Sequence, residues 1–391
     1  MNRVRRANSR MSGIYVHIPF CKQACSYCDF YFVTRQDMRS DFVKRLCEEI
    51  GQYRNSRFSE EIVKTIYIGG GTPSLLTTSE LEKIFDRLYS VFDLDPVEVT
   101  MELNPDDVSV EYLRDIRSIG IGRASMGIQS FDPDRLRFMN RAHNPNDAIR
   151  ALENLCKAGF DVYTVDLIYG HPGQSPGDLE LDIDRLLEYD PPHVSAYSLT
   201  FEPRTRLGKM KELGRIQPAD DKMVSAQFDL IGQKFSKKGL FRYEISNYSK
   251  PGFEAIHNTN YWHHHNYLGL GPSAHSFWWE KNSKSAKRWE SPRELLSYLR
   301  EPFTGMREEE TLTLATLADE RLMLGLRTRQ GVDTINLQDR YSFRFNESQM
   351  EWLNKKISEN LFRMKESQLS LTDKGLKIAD YLIVELISRG E

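Results

Sequence analysis

From Ile14 to about residue 240, short β-rich runs alternate with amphipathic helical segments, and nothing else in the chain restricts its fold as much. The expected strands are Ile14–Ile18, Thr65–Gly69, Val97–Glu102, Arg123–Ile128, Val162–Ile168 and Val194–Leu199. Between them lie the helical patterns Asp37–Tyr53, Ser79–Val91, Val110–Ile119, Pro145–Ala158 and Gly177–Tyr189. Thr78 or Ser79 ahead of Glu80, and the Asn144-Pro145 pair, carry helix-start chemistry. Strand, helix and strand in succession build a parallel sheet with right-handed crossovers. Six such units are too few to close an eight-stranded barrel. The expected fold is therefore α/β, an open, partial TIM-type barrel over residues 13–240. Polar residues gather just after the strands, at Gly69–Thr72, Glu102–Asn104, Gln129 and Asp166, on the edge where parallel α/β barrels place their chemistry.

Beyond this core the pattern changes. Residues 241–305 are rich in Tyr, Trp, His and Asn and read as an irregular connecting region. Helical patterns return at Thr313–Leu324 and Ser348–Asn360, a short β-like pair follows around Leu361–Leu371, and Thr372–Ser388 reads as a last helix. Helices flanking a small hairpin predict a compact, winged-helix-like domain over 306–391. At the other end, residues 1–12 carry four arginines but no apolar stretch behind them, which predicts a flexible tail rather than a signal peptide, with Met11 an alternative start to Met1. No apolar run reaches the roughly 18 residues of a spanning helix. The balance of 53 basic against 56 acidic residues leaves a net charge of −3, which gives no reason to expect nucleic acid. The chain is expected to be cytoplasmic, with at most peripheral membrane association.

Of the five cysteines, Cys21, Cys25 and Cys28 fall within eight residues, too close for a disulfide framework, and the total is odd. Cys47 and Cys156 lie in helical patterns and are expected in the core. Thiolates at i, i+4 and i+7 in a loop after the first strand can ligate three irons of a 4Fe–4S cluster and leave the fourth iron open. An open iron can chelate the amino and carboxylate groups of S-adenosylmethionine (SAM), and one electron from the cluster then cleaves a C–S bond. The competing reading is a zinc knuckle, which requires a further Cys or His pair.

The opening Tyr15-Val-His-Ile-Pro-Phe-Cys21, together with the cysteine spacing, resembles the oxygen-independent coproporphyrinogen III oxidase-like family of radical SAM proteins, over nearly the whole chain. The resemblance implies a six-stranded partial barrel followed by a HemN-type C-terminal domain. It also implies a SAM pocket. Gly70, Gly71 and Thr72 of Gly69-Gly-Gly-Thr-Pro73 match the loop that holds the methionyl amino group, and consecutive glycines let backbone approach a ligand closely. Glu102 matches the carboxylate for the SAM ribose or amino group, and Tyr15 the aromatic six residues before the first cluster cysteine. Gln129, Arg141 and Asp166 match positions that line a second SAM site in the decarboxylating branch; a guanidinium such as that of Arg141 suits a carboxylate.

Two features separate the branches of that family. The decarboxylating branch has a further cysteine two residues after the third ligand, where this chain has Phe30. His257-Asn-Thr-Asn-Tyr-Trp262 resembles the H-N-x-x-Y-W motif of the haem-chaperone branch, which makes His257 the expected haem ligand. Imidazole is a good axial ligand for haem iron, and flanking aromatics can stack on the porphyrin. His263, His264, His265 and His275 follow, so five of the nine histidines fall in nineteen residues. The expected partners are haem, haem-receiving proteins and an electron donor for the cluster. Two other activities fit the same residues: coproporphyrinogen III dehydrogenation, and a radical SAM reaction on haem itself.

Overall fold

A computed structural model describes residues 12–300 and 309–390. The tail expected over 1–12 lies outside the described residues except for Ser12, and so does the junction expected at 305/306. The strands of the core are β1 (Ser12–Ile18), β2 (Val63–Gly70), β3 (Leu94–Leu103), β4 (Arg123–Gln129), β5 (Tyr163–Tyr169) and β6 (His193–Ser198). They pair in parallel, each with the next, from β1 to β6. The crossovers carry α1 (Arg39–Gln52), α2 (Thr78–Val91), α3 (Val110–Ile119), α4 (Pro133–Phe138), α5 (Pro145–Ala158) and α6 (Pro176–Leu187). Local chemistry starts these helices. Thr77, one residue before the expected cap, forms a capping box with Glu80; Asn144 does so with Asp147 and Ser175 with Asp178. All of these helices except α4 bury one face, such as Leu81, Ile84, Phe85 and Leu88 of α2, in the same core as Ile66, Ile68 and Met101 of the sheet, while Leu136 of α4 joins a smaller cluster with Ile168 and Leu199.

Residues 241–300 are not irregular, and for them the expectation is corrected. After α7 (Arg206–Glu212) and α8 (Asp221–Ser236) come β7 (Phe241–Arg242), β8 (Asn247–Ser249), α9 (Ile256–Trp262), β9 (Asn266–Leu270), β10 (His275–Trp279), β11 (Ala286–Glu290), α10 (Leu295–Arg300) and β12 (Glu310–Leu312). Strands β8 and β7 continue the sheet beyond β6, while β9 pairs in parallel with β1 and carries β10, β11 and β12 outward. The result is one twelve-stranded sheet. Inward-facing residues of β2 through β6 line a single cavity, so the middle of this sheet is concave.

The C-terminal part follows the order α11 (Leu314–Gly325), β13 (Val332–Asp333), α12 (Thr334–Tyr341), α13 (Glu347–Ser358), β14 (Phe362–Lys365) and β15 (Gln368–Leu371). This helix, strand, helix, helix, hairpin sequence is a winged-helix arrangement, with β15 central among the three strands. The single last helix expected over 372–388 is broken at Ile378 into α14 (Asp373–Leu376) and α15 (Ala379–Ser388). A second core forms here. It joins Leu317, Leu322, Leu382 and Leu386 to Phe277, Trp279 and Ala286 of the large sheet.

Candidate active site

The three clustered cysteines follow β1 in a loop tied down by backbone bonds from Cys21 N–H to Val33 O and from Val33 N–H to Pro19 O. All three are half-buried. Burial pushes the Cys21 thiol up to about 11 and the Cys28 thiol up to about 12. By contrast Cys156 is exposed, which corrects the expectation that it is a core residue, while Cys47 is half-buried and packs against the main core.

The loop after β2 lies against the cysteine loop. Gly71 N–H donates to Ile18 O and Thr72 N–H to Phe20 O, so the two loops share backbone bonds. Gly70 has φ +110°, outside the reach of ordinary L-residues, and a Cβ at Gly71 would stand 2.7 Å from Phe20 O. Glu102, near the end of β3, accepts from Gly70 N–H at 3.0 Å and from the Tyr67 hydroxyl at 2.8 Å. Burial pushes its carboxyl up to about 7. Asp166, on β5, is raised to about 6, again by burial, and accepts from Ser125 Oγ at 3.4 Å.

Arg141 connects these parts. Its Nη1 donates to Cys25 Sγ and to the Tyr27 hydroxyl, both at 3.4 Å; its Nη2 donates to Asn104 Oδ1 at 2.8 Å and Gly127 O at 3.0 Å. Asn104 Nδ2 then donates to Thr72 Oγ1 at 3.1 Å, and Thr72 Oγ1 reaches Cys21 Sγ at 3.5 Å. A guanidinium against a thiolate loop offsets negative charge where water is scarce. Gln129 ends β4 at φ +68°, a conformation that side chains other than Gly adopt at a cost and that clusters at functional sites.

These residues border one cavity of about 600 Å³. Cys21, Cys25, Cys28, Gly70, Gly71, Thr72, Glu102, Gln129, Arg141 and Asp166 all line it. Tyr15 does not. It donates to or accepts from His17 Nδ1 at 3.1 Å and stacks on Tyr67, which does line the cavity. Phe30 stands at the rim, 70% exposed. The residues fit a cluster and SAM. Gln129 Oε1 and Arg141 Nε are buried without a partner, the glycine loop leaves room only for backbone, and no further cysteine follows Cys28 before Cys47.

His257, the expected haem ligand, does not line this cavity. Its ring is 1% exposed, with Nδ1 bonded to Thr65 Oγ1 at 2.8 Å and Nε2 to the Tyr261 hydroxyl at 2.7 Å. Burial pushes it down to about 3, so it is a neutral, fully engaged imidazole. The hexapeptide is helix α9. It lacks a side-chain cap of its own; the Glu98 carboxylate of β3 accepts from Ile256 N–H at 3.0 Å and His257 N–H at 2.8 Å instead. Ala255 and Asn258 border the cavity, so the motif forms part of its wall.

Several lining residues were not singled out from sequence: Tyr67, Thr100, Arg123, Ser125, Thr164, His193, Ser195 and Tyr197. A signal for most of them exists. Thr100 and Glu102, Arg123 and Ser125, Thr164 and Asp166, and His193, Ser195 and Tyr197 alternate along their strands, the period-two pattern of one sheet face.

The radical SAM superfamily model matches residues 15–186, and the HemN C-terminal domain model matches residues 312–378. The haem chaperone HemW of Lactococcus lactis is 32% identical over 373 residues, covering 94% of this chain and 95% of that protein. The haem chaperone HemW of Bacillus subtilis is 31% identical over 369 residues, covering 93% and 96%. Among solved structures, coproporphyrinogen III oxidase (HemN) from Escherichia coli, described as a radical SAM enzyme, superposes with a TM-score of 0.80 over 98% of this chain and 91% of that one, at 22% identity. That likeness shows the shared fold. Matching cysteine loop, barrel and C-terminal domain along almost its full length, the chain belongs to the HemW branch of the coproporphyrinogen III oxidase-like radical SAM proteins.

Proposed function

We propose that this protein holds haem and delivers it to haem-dependent proteins, and that it carries a 4Fe–4S cluster on Cys21, Cys25 and Cys28 with SAM bound beside it. The observation that carries the reading is similarity over more than nine-tenths of the chain to relatives named as haem chaperones. Phe30 supports it, since an exposed phenylalanine stands where the decarboxylating branch has a cysteine. When bound, the cluster supplies one-electron chemistry toward the SAM sulfonium, with an external protein as electron donor. The chain's own residues have separate tasks. Gly70, Gly71 and Thr72 offer backbone and hydroxyl to the methionyl end, Glu102 fixes that loop, and Arg141 balances thiolate charge. Gln129 and Asp166 are proposed contacts along the ligand, with Tyr15 supporting Tyr67 from behind. Residues 13–240 are proposed as the cluster and SAM core, 241–305 as its connecting region and 306–391 as the HemN-type domain.

Among the described residues, no helix is long and apolar enough to cross a membrane; the proposed site of action is the cytoplasm. The deciding experiment incubates the anaerobically reconstituted protein with haem and, separately, with coproporphyrinogen III, SAM and a reductant. Stoichiometric haem binding without carbon dioxide release is expected. SAM-dependent release of carbon dioxide from coproporphyrinogen III would instead make the protein a dehydrogenase.

A further inference from the structure

A short basic element packs on the cysteine loop. Residues 204–215 carry five basic side chains, Arg204, Arg206, Lys209, Lys211 and Arg215, against the single acid Glu212, in a chain whose net charge is −3. All five are exposed. Other surface cations near the loop are neutralised by close acids: Lys22 by Asp106, Arg35 by Asp37 and Arg137 by Asp134. Among the described residues only Arg204 of the five meets a carboxylate, Asp29 at 3.4 Å, and the Lys211 ammonium lies 5.9 Å from the centre of the Phe201 ring. Leu213, 64% exposed, adds an apolar spot beside these charges.

The element is fixed to the loop. Thr205 caps α7 by accepting from Gly208 N–H at 3.0 Å, and a side chain at Gly208 would run into the Glu202 carbonyl. Leu207 N–H donates to Ser26 O at 2.9 Å, and Ser26 is the residue next to Cys25. Leu207 is buried in a cluster with Leu136, Met139, Ile168 and Leu199, against which Tyr27 and Met210 pack. A short covalent and hydrogen-bonded path thus runs from α7 to a thiol of the loop.

We infer that residues 204–215, centred on α7, form the docking surface for the electron donor, an acidic protein that carries a one-electron flavin or iron–sulfur group. The inference rests on the cluster reading above and names the surface that serves it. One electron passes from the reduced carrier to the cluster; the carrier is oxidised by one electron, and no atom is exchanged. The exposed cations repel one another, and an acidic partner relieves this. They also steer such a partner into encounter. Electron-transfer complexes have small interfaces and dissociate readily, which suits a patch of this size. Residues 204–215 contain no aromatic side chain for base stacking, which sets nucleic acid aside.

The test uses the full-length, cluster-loaded protein and an acidic flavodoxin as the donor probe. Oxidised flavodoxin should bind the wild type at low ionic strength, with affinity falling as salt rises. Arg206→Glu/Lys209→Glu/Lys211→Glu should weaken that binding at least about tenfold and remove its salt dependence. The same variant should accept electrons from flavodoxin hydroquinone at least about tenfold more slowly in stopped flow. Dithionite should still reduce its cluster to the wild-type EPR signal. Lys44→Glu/Lys83→Glu/Lys238→Glu makes the same change of net charge at exposed lysines of α1, α2 and the end of α8, and should match the wild type. If the α7 glutamate variant melts early, Arg206→Gln/Lys209→Gln/Lys211→Gln takes its place, with a severalfold loss expected. Wild-type binding and reduction rate in a folded α7 variant overturn the inference, as does an equal loss in the control variant. So does α7-dependent binding of RNA or anionic vesicles with reduction by flavodoxin unchanged. A wild type that dithionite reduces, but that flavodoxin neither binds nor reduces, overturns the inference and leaves the cluster reading intact. A wild type that loads no cluster removes that reading, and the inference with it.

Discussion

Arg141 reaches the cysteine loop, the carbonyl of Gly127 and, through Asn104, the hydroxyl of Thr72, so single side chains carry much of the site. Each of Cys21, Cys25 and Cys28 stands in that frame. Changing any one to Ala is expected to abolish the brown chromophore after anaerobic reconstitution, whereas Cys47→Ala and Cys156→Ala should retain it; iron and sulfide counts per chain check this. Glu102 makes a second expectation. Burial pushes its carboxyl up to about 7, and the ionised form is the one that favours the cationic ammonium or sulfonium of the SAM proposed beside it. SAM affinity should therefore be level above pH 7 and fall as the pH drops below it, and Glu102→Gln should flatten the profile in equilibrium dialysis. His257 is tied into the wall by both ring nitrogens. Removing its ring leaves the Thr65 and Tyr261 hydroxyls without their partner in a closed wall, which should cost about 2–4 kcal/mol. A melting experiment on His257→Ala should show that loss, with the Soret band of the haem-loaded protein unmoved.

At the level of elements, the parallel core was readable because its signals are local. Val110–Ile119 and Pro145–Ala158 have the bounds that their apolar periodicity and caps imply. Strand β9 was hidden for the opposite reason. Asn266–Leu270 is short, contains Gly269, and finds its parallel partner in β1 at the far end of the chain. Helix α9 was equally unreadable as a helix, because Ala255 caps nothing and the stabilising carboxylate comes from Glu98, 158 residues earlier. The imidazole pattern of the hexapeptide suggested a ligand, while its pairing with Thr65 depends on tertiary contact alone. The glycine loop shows how tightly elements meet. Gly71→Val would drive a side chain into the carbonyl oxygens of Phe20 and Ile18, so SAM binding should fall below detection and the reduced cluster's EPR spectrum should no longer respond to SAM. Unchanged SAM affinity in that variant would mean the loop serves only as a turn.

Across the whole molecule, the large sheet and the winged-helix part share apolar contacts rather than meeting through a polar seam. Phe277, Trp279 and Ala286 of β10 and β11 pack in one cluster with Leu317, Leu337, Leu382 and Leu386. The two parts should therefore unfold together. Near- and far-ultraviolet circular dichroism are expected to report a single denaturant midpoint. Trp279→Ala, which empties a side chain 2% exposed, should lower stability by about 3–5 kcal/mol and shift both signals equally. Two separate midpoints would show that the C-terminal part is an independent unit.

The Glu98 carboxylate that starts α9 also faces Arg123 at 3.5 Å, and Arg123 in turn reaches Thr164 and the Phe253 carbonyl. The hexapeptide is thus a keystone wedged between distant stretches of chain. In a population of random mutants, changes at His257, Asn260 or Tyr261 will be recovered as inactive alleles because the cavity wall has given way. Such alleles will cluster on the motif most suggestive of haem, while substitutions in the cavity lining, such as Gln129→Ala or Asp166→Ala, leave a sound fold. Sorting alleles by the amount of soluble protein they leave, before ranking them by activity, separates the two groups.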